Sequence, residues 1–128
     1  MTDPDAVPVL IVDDQAAFRS AARIVVTMSN GFDVRGEAES GEEAVQMADD
    51  LGDGLVLMDI NLGGISGLEA TRQITDAHPG VVVVLMSTYT AEDLPDDAAD
   101  CGAVQYVHKE DLGPDVLREI WDAHHRVA

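Results

Sequence analysis

Six apolar residues in a row, Val81 to Met86, admit few structural solutions. A strand with one wet face alternates apolar and polar side chains, and this run does not alternate. It has the length of a strand and is far too short to cross a bilayer, which takes about 20 residues. Strand Leu55-Val56-Leu57-Met58 is equally unbroken, and Val7 to Val12 is interrupted only by Pro8. Runs of this kind belong to central strands of a parallel sheet, covered on both faces by helices.

The segments between them supply those helices. Phe18, Ala21, Ala22, Val25 and Met28 recur at helical spacing, with Arg19 and Arg23 on another face, and Asn30-Gly31 closes the segment as a turn. Phe32, Val34, Gly36 and Ala38 then alternate with Asp33, Arg35 and Glu37, the pattern of a strand wet on one side. Ser40-Gly41-Glu42-Glu43 and Ser66-Gly67-Leu68-Glu69 are capping boxes that open two further helices. A poorly apolar helix is expected from Asp93 as cap, with Pro95 in its first turn, and a last helix from Pro114 with Val116, Leu117, Ile120 and Trp121 inward. Val104 to His108 is a mixed strand ending at Lys109. Strand then helix, five times over, implies right-handed crossovers and a doubly wound α/β domain. The second strand alternates and the fifth is mixed, so these are the edges. The expected architecture is a five-stranded parallel sheet of order 2-1-3-4-5, flavodoxin-like, over residues 7–126, with residues 1–6 a loose tail.

Composition narrows the function. The 128 residues carry 25 acids against seven basic groups, a net charge of -18. That excludes a phosphate-backbone or anionic-membrane surface on this chain and points to a solvated acidic surface with a cation site. The single cysteine, Cys101, forms no internal disulfide and reads as a buried small apolar group; a cytoplasmic setting is expected. Only one basic residue is lysine, Lys109, so its placement matters.

Ligands of such sheets bind beyond the carboxyl ends of the strands, at the switch point between the first and third. The residues there follow from the strand boundaries: Asp13 and Asp14, Asp59, Ser87 and Lys109. Clustered carboxylates repel unless a cation lies between them, and an all-oxygen site with open positions suits magnesium, with manganese as an alternative. Zinc is excluded by the lack of a His or Cys cluster. A metal beside an acid suggests phosphoryl chemistry, in which Asp59 is the nucleophile, Lys109 neutralises a phosphoryl oxygen and Ser87 donates to another.

Around these residues the sequence resembles the receiver domain of bacterial response regulators, roughly from Val7 to His125. The stretches are LIVDDQAAFR, LVLMDINLGGISGLEA, VVLMST and GAVQYVHK. The resemblance implies that Asp59 is phosphorylated from a sensor histidine kinase or phosphotransfer protein. It implies that Asp13, Asp14, Asp59 and the Asn61 backbone carbonyl hold magnesium, and that Lys109 binds the phosphate. Ser87 is then the switch hydroxyl and Tyr106 the switch aromatic, reshaping the face of the fourth helix, fifth strand and fifth helix, with a homodimer on phosphorylation. The Asp-Asp-Gln-x-x-Phe-Arg stretch and Gly-Leu-Glu-Ala are most similar to the NarL/FixJ subgroup, whose receivers usually precede a DNA-binding domain. Two positions depart from the pattern: Gly63-Gly64 replaces a proline, and Glu110 follows Lys109 where proline is usual.

Blander readings stand beside these. Tyr106 alone is a half-buried edge-strand residue, and Gly63 to Gly67 lacks the Gly-Lys-Ser/Thr ending of a P-loop and reads as a mobile loop. Tyr89 and Asn61 flank the site and are expected to tune the phosphoryl lifetime. His78, His108, His124 and His125 have no ligand spacing and read as solvated, the acidic run Glu92 to Asp100 as a solvated face, and Met47 and Trp121 as core. Three functions compete: a phosphorylation switch, alone or in a relay or controlling transcription; a small aspartyl-phosphate phosphatase; and a bare interaction module. The phosphatase class commonly places a second aspartate two residues after the nucleophile, where this chain has Asn61. The bare module should lack one of the five site groups, and none is missing. The switch is the favoured reading, with no turnover beyond its own phosphorylation and dephosphorylation.

Overall fold

The computed structural model describes residues 6–62, 64–88 and 100–124. In chain order these form β1 (Val7–Val12), α1 (Ala16–Met28), β2 (Phe32–Ala38), α2 (Gly41–Ala48), β3 (Leu55–Asp59), α3 (Gly67–Ala77), β4 (Val82–Ser87), β5 (Gln105–His108) and α4 (Pro114–His124). The helix expected from Asp93, and with it Gly63, Tyr89 and His125, lies outside the described residues. Among the described residues no helix is long and apolar enough to cross a membrane.

All neighbouring strands are parallel, in the order β2-β1-β3-β4-β5. The unbroken apolar runs are explained by two cores, one on each face. Leu10, Val12, Val56, Met58, Val83 and Leu85 point to α2 and α3, where Ala44, Ala48, Leu68 and Ile74 meet them. The alternate residues Val9, Ile11, Leu55, Leu57, Val84 and Met86 point to α1 and α4, against Ala22, Val26, Leu117 and Ile120. Both serine caps form, Ser40 accepting from the Glu43 N–H at 3.2 Å and Ser66 from the Glu69 N–H at 3.1 Å. Each satisfies one otherwise orphaned donor at a helix start.

Two parts of the pattern differ from expectation. Strand β2 does not keep one face: pairing with β1 slips between Val9 and Leu10, so Val9 opposes Val34 while Leu10 opposes Gly36. The bulge leaves Arg35 over and turns the strand. Phe32 and Val34 therefore pack toward α1 and α4, whereas Ala38 packs toward α2. In α1 the inward arc is Phe18, Ala22, Val25 and Val26; Ala21 and Met28 are exposed, Met28 at 69%. Apolar spacing alone admits either arc, because positions three and four apart both count as neighbours.

Two of the histidines, His78 and His108, are half-buried and bonded rather than solvated, whereas His124 is exposed as expected. His78 Nε2 lies 2.8 Å from Asp49 Oδ1, tying the end of α3 to the end of α2. His108 bridges the Thr88 carbonyl at 2.9 Å and the Glu110 N–H at 3.2 Å. Cys101 is buried as expected, and Trp121 packs edge-on against Phe32 with ring centroids 6.5 Å apart.

Candidate functional site

Four strand ends deliver the site. Beyond β1, the Asp13 N–H donates to the Ala38 carbonyl at 3.1 Å, continuing the ladder by one residue and burying Asp13 completely. One carboxylate oxygen, Oδ1, accepts the Gln15 N–H at 2.8 Å; the other, Oδ2, accepts from Lys109 Nζ at 2.6 Å. Asp59 ends β3 and is also buried. Its Oδ1 accepts the Asn61 N–H at 3.2 Å, and its Oδ2 lies 3.7 Å from Lys109 Nζ. Asp14 stays exposed.

One carboxylate oxygen from each of Asp13, Asp14 and Asp59 lies within 4.8 Å of the other two, and no other such group of three converges among the described residues. Oxygen donors alone, partly open to solvent, fit a hard divalent cation that keeps some of its water. That an ammonium already bonds one of these acids shows how strongly the spot favours positive charge.

Ser87 ends β4 and is buried; Met86 before it pairs with Asp59, so the serine stands one residue beyond the acid on the next strand. The Tyr106 hydroxyl on β5 donates to the Ser87 carbonyl at 3.3 Å. All the expected residues thus gather at one end of the sheet, although the Asn61 contribution visible here is its N–H. The Lys109–Glu110 peptide is trans, like every described peptide, and the chain enters a 3-10 turn over Lys109–Asp111.

Several contacts were not legible beforehand. Lys109 Nζ stands 4.5 Å from the Phe18 ring centroid, and Arg19 Nη1 donates to the Asp13 carbonyl at 2.7 Å. In sequence Phe18 reads as core stripe and Arg19 as the solvated side of the same helix. The loop after Asp59, expected to be mobile, is held in its described part: the Ile65 N–H donates to Glu42 at 3.3 Å and the Gly67 N–H to the Ile60 carbonyl at 3.1 Å.

The Asp59 carboxyl is pushed up from 3.8 to about 6, first by burial and then by the Asp13 charge, with a smaller push from Asp14; Lys109 and the Asn61 N–H pull it back. A raised carboxyl binds its proton more tightly folded than unfolded, so stability falls as pH rises from about 4 to about 6. Asp59→Asn removes this penalty. In metal-free buffer at neutral pH the variant should be more stable by about 1–2 kcal/mol, below the roughly 3 kcal/mol of an unscreened two-unit shift. The gain should vanish below about pH 4, where Asp59 is protonated in both states. Thermal melts across this range check it; a gain that persists at low pH would point to packing instead.

The sequence profile of the response regulator receiver domain matches residues 9–121. The chain belongs to this family. It is a receiver domain, and its relatives are response regulators of two-component systems. The transcriptional regulatory protein YdfI of Bacillus subtilis (strain 168) is 35% identical over 115 residues, covering 90% of this chain and 53% of that protein. Response regulator UvrY of Escherichia coli (strain K12) is 35% identical over 112 residues, 88% of this chain and 51% of that one. Among solved structures, a LuxR-family two-component response regulator from Aurantimonas sp. SI85-9A1 superposes with a TM-score of 0.79 at 27% identity, covering 92% of this receiver and 84% of that chain. The receiver spans about half the length of the curated relatives it matches.

Proposed function

We propose that Asp59 accepts a phosphoryl group from a sensor histidine kinase or phosphotransfer protein and that this receiver works as the resulting switch. The observation that carries the reading is the Lys109 ammonium, 2.6 Å from Asp13 and 3.7 Å from Asp59 in a pocket of three carboxylates. With its carboxyl at about 6, Asp59 is mostly ionised at neutral pH and attacks without a general base. An Asp59 oxygen bonds to phosphorus while the bond from phosphorus to the donor imidazole nitrogen breaks, and that nitrogen keeps the electron pair. The product is an acyl phosphate. Lys109 compensates charge on the phosphoryl oxygens, and the Ser87 hydroxyl donates to one of them. Asp13, Asp14, Asp59 and the Asn61 carbonyl would hold magnesium, which supplies further neutralisation of the transferring group.

Ser87 moving toward the phosphoryl group would disturb the bond its carbonyl accepts from Tyr106. Rotation of Tyr106 then changes the surface to which β5 and α4 contribute, for an output partner or a second copy of the chain. The relatives' description as transcriptional or response regulators supports an output in transcription.

Incubation with a small phosphodonor and magnesium should add one phosphate to the chain, seen as intact mass, and none to Asp59→Asn. Equal labelling of the two would overturn the assignment. Turnover of a generic phosphate ester well above self-dephosphorylation would favour the phosphatase instead.

A further inference from the structure

We infer that Phe18 is a positioning residue for Lys109, its ring face holding the ammonium over the acid pocket. The inference rests on the phosphoryl-acceptor reading for its consequence, but not for the contact itself. Lys109 follows the edge strand β5 and must reach across the sheet end to Asp13, which extends β1 on the far side of β3 and β4. A lysine on four flexible carbons has many rotamers, and only those that aim inward serve the site. The 2.6 Å bond to Asp13 fixes the ammonium at one point, but Asp59 Oδ2 at 3.7 Å lies beyond hydrogen-bond length, so the two acids leave the approach of the lysine stem open.

Phe18 supplies a further wall. It lies in the first turn of α1, five residues after Asp13, and packs on the core that α1 shares with α4. Its centroid is 4.5 Å from Nζ, within the range in which a ring quadrupole attracts a cation. Lys109 is 12% exposed there, so little water screens the attraction. The next residue, Arg19, holds the Asp13 carbonyl at 2.7 Å. Adjacent residues of α1 therefore fasten the two ends of one ion pair: Phe18 the ammonium, Arg19 the backbone that presents the acid.

Leucine at this position keeps an apolar side chain and loses the ring face; tyrosine keeps the ring face. Phe18→Leu should slow phosphoryl uptake from a small phosphodonor at saturating concentration about fivefold, with Phe18→Tyr near wild type. Magnesium affinity by calorimetry should be unchanged or tighter in Phe18→Leu, because a loosened ammonium competes less for Asp13. A merely structural role would weaken both together.

A second readout needs no phosphorylation. Lys109 is the only lysine in the chain, so 13C-lysine labelling gives one side-chain spectrum. The ring face should shift its ε-methylene protons upfield of a free lysine in wild type and Phe18→Tyr, and Phe18→Leu should return them to the free position. Wild-type protons already at the free position would overturn the contact. An upfield shift with equal phosphorylation rates in wild type and Phe18→Leu would overturn the positioning role. If wild type takes up no phosphate at all, the acceptor reading fails and the spectrum still decides the contact.

Discussion

Lys109→Met should slow phosphoryl uptake at Asp59 about a hundredfold, the usual loss when one charge-stabilising donor is removed from a reacting oxygen. Methionine keeps most of the apolar stem and deletes the charge. The same change should destabilise the metal-free receiver by about 1–3 kcal/mol at neutral pH, because it leaves the buried Asp13 without the ammonium at 2.6 Å and Asp59 without its nearest cation. The two effects have different pH signatures. Lys109 is one of the two influences holding the Asp59 carboxyl down, so its loss pushes that group further above about 6. The Asp59 share of the destabilisation is present where folded Asp59 is ionised in the wild type and disappears as pH falls below about 6. Magnesium binding should tighten, since a divalent cation then meets uncompensated acids. Stopped-flow phosphorylation, melts from pH 4 to 8 and calorimetry check the three parts. A variant that loses magnesium affinity along with rate would show that Lys109 shapes the pocket more than it charges it.

Gly67→Ala should be among the most damaging single-methyl additions in the chain. A Cβ there would lie 2.0 Å from the Asp59 carbonyl oxygen and 2.9 Å from the Ile60 Cα. Both neighbours are backbone, so neither can rotate away. The strand end and the start of α3 must separate, which also strains the bond from the Gly67 N–H to the Ile60 carbonyl. An expected loss of about 3 kcal/mol corresponds to a fall in Tm of about 10 °C. Gly52→Ala is the control: nothing lies within 4 Å of its Cβ, but its φ of 72° carries a backbone cost of about 1 kcal/mol. Similar losses in the two variants would mean that backbone conformation, not the close approach, sets the glycine at position 67. Any phosphorylation measured on surviving Gly67→Ala should also be slow, because the displaced atoms belong to Asp59 itself.

Much of this is legible in the sequence. Val81 to Met86 and Leu55 to Met58 have no polar alternate, which forces both faces to be covered and so selects the parallel sheet and its order. Once the order is known, the strand ends alone name Asp13, Asp14, Asp59, Ser87 and Lys109, because a strand is too stiff to send its last residue elsewhere. The bulge between Val9 and Leu10 was not legible, since alternation along β2 continues through Arg35 and only pairing with β1 reveals the slip. Nor was the arc that α1 buries: Met28 and Val26 are equally apolar, and contact with α4 and β2 decides between them.

The sequence by itself determined the sheet, the topology and which charges meet at its rim, because those follow from periodicity of two and from where apolar runs stop. Tertiary structure alone decided what surrounds those charges. Phe18 under Lys109, Arg19 on the Asp13 carbonyl and Gly67 against Asp59 each join positions that no local spacing relates. Their partners are chosen by how helices settle across the sheet, and that depends on the packing of the whole chain.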